Sequence, residues 1–358
     1  MKIIDRRRLK PLAETGGACG AASAFFLRPF YVLSLIYAGL VTAWRALPAR
    51  QVRPGVPVIS IGSIIVGGTG KTPLCMLVAE MLASSGRKVC VISRGYMRKG
   101  RRSPLVVSDG KKLFADVREA GDEPYLLARR LPGVQVIVDK DRVRAAEKAL
   151  SGGKPDALVL DDGFQTKTLA KALEIVCLDA ESLLKRQFFI PLGRLREGWG
   201  AIRPDHVVVV KLEQGEAAPD PSVFGRLPTP LVFLARRERP ALLDADGRPV
   251  GADAWTKHRF LALSGVARPA AFERACAGMG LELTVGVRAD DHHWYGDKDV
   301  KEIIELMETS GSDRLVTTEK DFYRLPEALR TRALVLRDQL AMEDPVRFAE
   351  MLETRLRK

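Results

Sequence analysis

The residues whose types and spacing bear most directly on chemistry are Val66-Gly67-Gly68-Thr69-Gly70-Lys71-Thr72-Pro73. Glycines at 67, 68 and 70 let backbone N–H groups close around phosphate oxygens. The lysine that follows supplies a cation for β- and γ-phosphates, and the next hydroxyl suits Mg²⁺. An apolar run at 56–61 precedes the loop and a helical pattern follows it, which is the setting a phosphate-binding loop requires. Pro73 falls in the first helical turn, where its missing N–H is tolerated. Gly67, Gly68, Thr69, Gly70, Lys71 and Thr72 are therefore expected to hold ATP. The strict pattern has a further glycine where this chain has Ile65.

A second group is Ala157-Leu158-Val159-Leu160-Asp161-Asp162-Gly163-Phe164-Gln165. An apolar strand ending in aspartate is where such a protein holds its metal. Adjacent strand residues face opposite ways, so both carboxylates reach one Mg²⁺ only if the chain turns, which Gly163 permits. A solvated strand-end turn is the plainer alternative. Gly121-Asp122-Glu123-Pro124 also has two readings. On residue types alone Asp122 is a helix N-cap, with Pro124 in the first turn; the functional alternative is a general base. In Asp290-Asp291-His292-His293-Trp294-Tyr295, a histidine can orient a carboxylate base or contribute to a metal site, or the segment is a polar loop. The cluster Arg98-Lys99-Gly100-Arg101-Arg102 is a solvated loop or a contact for phosphate or anionic lipid.

The elements that position these groups alternate. Strands are expected at 56–61, 88–93, 134–139, 157–161, 174–179 and 206–212, with helices near 73–85, 123–131 and 142–150. Buried, non-alternating strands separated by helices predict an α/β fold with a mainly parallel sheet. The stretch 214–230 is rich in Ala, Pro, Asp and Gly, so a boundary is expected near 220. Strands near 260–263, 282–287, 314–318 and 333–336 then predict a second, smaller α/β domain. The expected organisation is 1–50, an N-terminal membrane-associated segment; 51–220, the phosphate-loop domain; and 221–358, the smaller domain.

The N-terminal segment opens with Lys2, Arg6, Arg7, Arg8 and Lys10, and positions 29–44 carry no charge. As a helix that run is roughly 24 Å long, short against a hydrocarbon core of about 30 Å. A span, a signal peptide, an interfacial anchor and a buried core helix all compete. The anchor is preferred: Tyr31, Tyr37, Trp44 and the flanking arginines suit the headgroup level, and export would separate a nucleotide site from ATP. The chain of 358 residues has a net charge of +13, which favours anionic partners. Low aromatic content without an aromatic–basic pattern argues against nucleic acid. Cys19, Cys75, Cys90, Cys177 and Cys276 are widely spaced, as expected of reduced thiols, with Cys90 and Cys177 in core strands.

Together these segments resemble the lipid A 4′-kinase family. The resemblance rests on Val66 to Pro73, Ser93-Arg94-Gly95-Tyr96, Gly121 to Pro124, Asp161 to Gln165, Leu195-Arg196-Glu197, Asp291-His292-His293 and Thr318-Glu319-Lys320-Asp321, in that order. Two positions depart from the family pattern: Thr166 stands where a histidine is usual, and Pro191-Leu192-Gly193-Arg194 precedes Leu195. The resemblance implies phosphorylation of the 4′-hydroxyl of a tetraacylated glucosamine disaccharide 1-phosphate by ATP. It makes Asp122 the base and His292 its support, and adds Glu197 to Asp161 and Asp162 near Mg²⁺. Tyr96, Arg142 and Arg196 would line the site. An acylated disaccharide lipid and the cytoplasmic face of the inner membrane are the implied partner and location; nothing points to a protein partner. The alternative is a membrane-associated ATPase switch acting on a protein.

Overall fold

The computed structural model describes residues 2–5, 21–266 and 269–357. Arg6, Arg7, Arg8, Lys10 and Cys19 lie outside the described residues. The strands are β1 (Lys2–Asp5), β2 (Val58–Gly62), β3 (Val89–Ser93), β4 (Leu105–Ser108), β5 (Gln135–Val138), β6 (Ala157–Asp161), β7 (Leu173–Asp179), β8 (Val207–Leu212), β9 (Val232–Arg237), β10 (Ala241–Leu243), β11 (Arg259–Ser264), β12 (Glu282–Arg288), β13 (Arg314–Thr318), β14 (Ala333–Arg337) and β15 (Leu340–Met342).

They form two sheets in two compact units. The larger sheet has the order β15-β9-β8-β7-β2-β6-β3-β5-β4. Its strands from β9 to β5 run parallel, and the edges β15 and β4 are antiparallel. β2, β3, β6, β7 and β8 are buried along their whole length, which is why they read as mostly apolar runs without alternation. Alternate residues serve opposite faces: Ile59 and Ile61 pack with Leu74, Val78 and Leu127, whereas Val58 packs with Ile92 and Ala145. The smaller sheet, β1-β12-β11-β13-β14-β10, has four parallel strands between antiparallel edges.

The division differs from the expected boundary near 220. The larger unit runs on to Arg237 and takes back Leu340–Lys358. β8 is buried throughout and needs a partner on its outer side; β9 supplies it, and β15 closes the edge. Phe348 and Leu352, on the helix Pro345–Leu356, join the same core as Ile59. The N-terminal segment is likewise not one piece, because β1 pairs with β12 of the smaller sheet.

Five helices of the larger unit matter for the site: α1 (Ala21–Ala46), α2 (Lys71–Ser84), α3 (Val117–Ala120), α4 (Asp122–Arg130) and α5 (Arg142–Gly152). α1 is not a core helix. Phe30, Tyr31, Val32, Leu33, Leu35, Ile36, Leu40 and Trp44 are all exposed. Its buried Ser34 donates to the Phe189 carbonyl at 2.8 Å, and Tyr37 donates to the Arg196 carbonyl at 3.2 Å. No helix among the described residues is long and apolar enough to cross a membrane.

Candidate active site

Parallel pairing of β2 with β6 places Ile61 opposite Asp161. The loop after β2 and the acidic end of β6 therefore emerge side by side, where chain order along the sheet reverses and ligands of such folds bind. Gly70 caps α2 with φ 90°, the left-handed region, and a Cβ there would lie 2.9 Å from Lys211 Cδ. Ile65 has no turn to make. It bridges to Leu195 and is buried with Phe164, so the missing glycine reflects an extended, packed approach to the loop.

The loop is held from several sides. Val66 N–H donates to the Arg194 carbonyl at 2.8 Å, and Arg194 Nε returns to the Val66 carbonyl at 3.1 Å. Cys177 Sγ meets the Thr69 carbonyl at 2.8 Å. Lys211, at the end of β8, donates to the Gly68 carbonyl at 3.0 Å and pairs with Glu213 at 2.8 Å. Cys75, Cys90, Cys177 and Cys276 are free and buried. Burial pushes the Cys177 thiol up to about 12, so it stays protonated and able to donate.

At the end of β6 the left-handed residue is Asp162, with φ 51°, and not Gly163. Gly163 is required for close approach instead: a Cβ there would sit 2.5 Å from Ser60 Oγ and 2.6 Å from Leu160 Cβ. The turn separates the two carboxylates. Asp162 is gripped by both terminal nitrogens of Arg196, and Lys71 Nζ lies 3.9 Å from Asp162 Oδ1. Burial would raise the Asp162 carboxyl, but the Arg196 fork with the Lys71 and Arg142 charges holds it below its ordinary value. Asp161 is only 2 % exposed. Its Oδ2 accepts from Ser93 at 3.1 Å, and its Oδ1 is buried with no hydrogen-bond partner among the described residues. Burial first, then the charges of Glu123 and Asp162, push Asp161 up to about 7, against Ser93 and Arg142.

That orphaned Oδ1 is what a magnesium site calls for. Mg²⁺ binds through one or two carboxylates, with phosphate oxygens and water completing its shell. Asp161 Oδ1 and the Thr72 hydroxyl are suitable hard donors. Glu197 does not belong with them. One carboxylate oxygen accepts from Gln165 at 2.6 Å and the other from Arg45. Among the described residues no three His, Cys, Asp or Glu side chains group to hold a metal. Glu197, itself buried, carries its charge into a part-buried ion pair with Arg45 instead.

Asp122 is the first residue of α4, and Gly121 occupies the cap position, so the cap reading does not hold. The Asp122 side chain is 4 % exposed. Tyr96 lies in an exposed turn after β3. Arg142 is buried and committed to the framework: it donates to the Asp139 carbonyl at 2.7 Å and to the Asp161 carbonyl at 3.0 Å. Burial, opposed by Asp161 and Asp162, brings its guanidinium down to about 10.

In the smaller unit the two histidines part company. His293 Nε2 sits 3.2 Å from Asp299 Oδ2, and its ring packs edge-on to Tyr295. His292 has φ 63°, with Lys320 Nζ 3.4 Å from its Nε2. His293 thus braces the start of the helix Asp297–Ser310, and His292 is grouped with Lys320 and Asp291. The Thr318-Glu319-Lys320-Asp321 segment is buried around Asp321, which accepts from Gly265 N at 3.0 Å and Thr318 Oγ1 at 2.7 Å.

Sequence reasoning gives no site role to Lys211, Ser93 or Lys171 and places Arg45 only as an arginine flanking the anchor. Lys211 had a signal, a lysine after four valines near the end of a strand. Lys171 Nζ donates to the Gly163 carbonyl at 2.8 Å and pairs with Glu174; only tertiary contact reveals its role, and the same holds for Arg45.

A parallel sheet whose central strand feeds a glycine loop and helix, beside a strand-end acid with a free oxygen, defines a P-loop phosphotransferase. The family model described as tetraacyldisaccharide-1-P 4′-kinase matches residues 24–357, and the chain belongs to that family. A relative from Anaeromyxobacter sp. (strain Fw109-5), a tetraacyldisaccharide 4′-kinase, is 44 % identical over 286 residues, 78 % of this chain and 76 % of its own length. Another, from Anaeromyxobacter sp. (strain K) and of the same name, is 38 % identical over 98 % of this chain and 93 % of its own length. Among solved structures, the "apo" form of LpxK from Aquifex aeolicus in complex with ATP is similar at 28 % identity and TM-score 0.75, covering 93 % of this chain and 99 % of that one.

Proposed function

We propose that this chain transfers the γ-phosphoryl group of ATP to the 4′-hydroxyl of a tetraacylated glucosamine disaccharide 1-phosphate, at the cytoplasmic face of the inner membrane. The observation that carries the reading is the Gly67–Thr72 loop beside the unsatisfied Asp161 Oδ1, within a family match that spans both units. That span disfavours the ATPase switch, which needs only the first unit.

Phosphoryl transfer depends on positioning and charge neutralisation more than on covalent chemistry. Loop N–H groups and the α2 N-terminus receive the phosphates, and Lys71 moves from Asp162 onto the β- and γ-oxygens. Thr72 and Asp161 would hold Mg²⁺, which supplies charge neutralisation on the phosphate oxygens. Asp162, kept ionised by Arg196, holds Lys71 in place before the nucleotide arrives. Asp122 takes the acceptor hydroxyl's proton. Tyr96 is exposed and would line the sugar site; Arg196 and Arg142 act by shaping the Asp161–Asp162 turn.

The exposed apolar length of α1 supports an interfacial position, with Tyr31 and Trp44 at headgroup depth. The acyl chains would remain in the lipid while the sugar reaches the loop. The test is incubation with γ-labelled ATP and the tetraacylated disaccharide 1-phosphate, followed by chromatography of the lipid phase. Label in the disaccharide lipid is expected; ATP hydrolysis without labelled lipid would overturn the reading.

A further inference from the structure

α1 and the acidic turn are fastened to each other by groups that no nucleotide or sugar chemistry requires. Arg45, in the last turn of α1, ion-pairs with Glu197, whose side chain is 2 % exposed. Its guanidinium carbon also lies 4.5 Å above the Phe164 ring. The other Glu197 oxygen accepts from Gln165, and Gln165 also donates to the Ser63 carbonyl at 3.2 Å. Lys167 Nζ returns the connection, donating to the α1-end carbonyls of Trp44 at 2.8 Å, Arg45 at 3.1 Å and Leu47. Phe164, Gln165 and Lys167 follow Asp161-Asp162-Gly163 directly. Arg196, next to Glu197, holds Asp162 and donates from Nε to the Ser63 carbonyl at 2.9 Å. Arg45 is therefore two contacts from the acidic turn by either route.

We propose that Arg45 is a positioning residue for phosphoryl transfer, fixing the Asp161–Asp162 turn through Glu197, Gln165 and Phe164 and so tying the docking of α1 to the geometry of the metal and phosphate site. The inference deepens the kinase reading and rests on it. Removing the guanidinium leaves Glu197 buried without its cation; the carboxylate then rests on Gln165, its remaining donor, and pulls on the segment after the acidic turn. Displacement of the turn by an ångström is enough to misalign Asp161 with the transferring group, at a cost of roughly 100-fold in rate.

The experiment uses the full chain with Arg45→Gln, Arg45→Lys, Glu197→Gln and the double variant Arg45→Gln/Glu197→Gln. Lipid phosphorylation is measured at saturating Mg²⁺, and Mg²⁺-dependent binding of a fluorescent ATP analogue is measured without lipid. Arg45→Gln is expected to lower kcat by roughly 100-fold with little change in the ATP KM. Arg45→Lys should recover at least about a tenth of the wild-type kcat, as a conservative cation can. The double variant should be no slower than Glu197→Gln alone, the non-additivity of a shared interaction. Arg45→Gln should also need more Mg²⁺ for half-maximal analogue binding, a readout independent of the lipid. Should Arg45→Gln not fold, Arg45→Lys and the double variant, which leave no lone buried charge, carry the comparison. Wild-type kcat and Mg²⁺ dependence in the Arg45 variants, or single losses that multiply in the double, would overturn the inference. A wild-type protein that labels no lipid overturns the kinase reading instead, and the analogue-binding arm still decides the role of Arg45.

Discussion

Lys211 Nζ donates to the Gly68 carbonyl at 3.0 Å, although the two residues are 143 apart in sequence. The lysine is buried at the end of β8, and its charge is met by Glu213. It ties the outer wall of the phosphate loop to the sheet, which prearranges the loop's N–H groups. Loss of one charge-assisted hydrogen bond of this kind costs about 1.5–3 kcal/mol. Lys211→Met is therefore expected to weaken ATP binding by roughly ten- to a hundredfold, read by titration with a fluorescent ATP analogue. Unchanged affinity would remove Lys211 from the site.

Lys71→Ala leaves the loop's N–H groups but removes the cation that neutralises the terminal phosphates. The expected loss in kcat is about two to three orders of magnitude, by analogy with removal of a single transition-state donor. Asp122→Ala should lose about 10²–10⁴ if it accepts the acceptor proton. Steady-state phosphorylation of the lipid checks both, and full activity in either variant refutes that residue's role.

Asp161 is raised from an ordinary 3.8 to about 7. A carboxyl raised in the folded state contributes stability below its unfolded value, and that contribution is lost as pH rises through the folded one. For the metal-free protein, Asp161→Asn should thus be more thermostable than wild type at pH 8, with the gap closing toward pH 4. Mg²⁺ binding has the opposite slope, since the metal takes the ionised carboxylate. Its affinity should climb with pH through about 7 in the wild type and lose that dependence in Asp161→Asn. Calorimetric melting across pH 4–8 and Mg²⁺ titration across pH 5–8 measure the two; parallel pH profiles in both proteins would contradict the assignment.

Gly163→Ala places a Cβ 2.5 Å from Ser60 Oγ and 2.6 Å from Leu160 Cβ. Overpacking of that kind costs about 1–3 kcal/mol, and here the strain falls on the turn between Asp162 and Phe164. Both a lower Tm and a lower kcat are expected. A variant with unaltered melting would show that the contact relaxes without cost.

Leu33, Ile36 and Leu40 are each at least half exposed on α1. Burying a leucine-sized side chain contributes about 1.5–3 kcal/mol. Aspartate at all three positions should reduce binding to anionic vesicles by a hundredfold or more and leave the Tm within a degree or two. Flotation assays decide, and undiminished vesicle binding would place the membrane contact elsewhere.

Much of the larger sheet was legible in the sequence because parallel strands buried on both faces cannot alternate: 157–161 and 206–212 are mostly apolar without alternation, and they hold β6 and β8. The phosphate loop was legible for a related reason, since its glycines answer to local backbone geometry. The boundary near 220 was misplaced because a turn-rich stretch marks a surface connection, and a connection does not reveal that β9 and β15 return to the same sheet. The resemblance puts Glu197 near the metal, whereas the fold pairs it with Arg45 and Gln165; a charge carries no label of its partner until the fold supplies one.

By itself the sequence determined which segments bury both faces, where the chain must turn, and which residues have the chemistry to meet a phosphate. Tertiary structure alone decided that Asp161 keeps a free buried oxygen while Asp162 is spent on Arg196. It likewise decided that Arg45 meets Glu197, Lys167 meets the end of α1 and Lys211 meets Gly68, each across more than a hundred residues of chain. Local steric and hydrophobic preferences act between neighbours and are written in neighbouring letters. The strength of a charge depends on burial and on what stands within a few ångströms, and those distances exist only once the chain has closed.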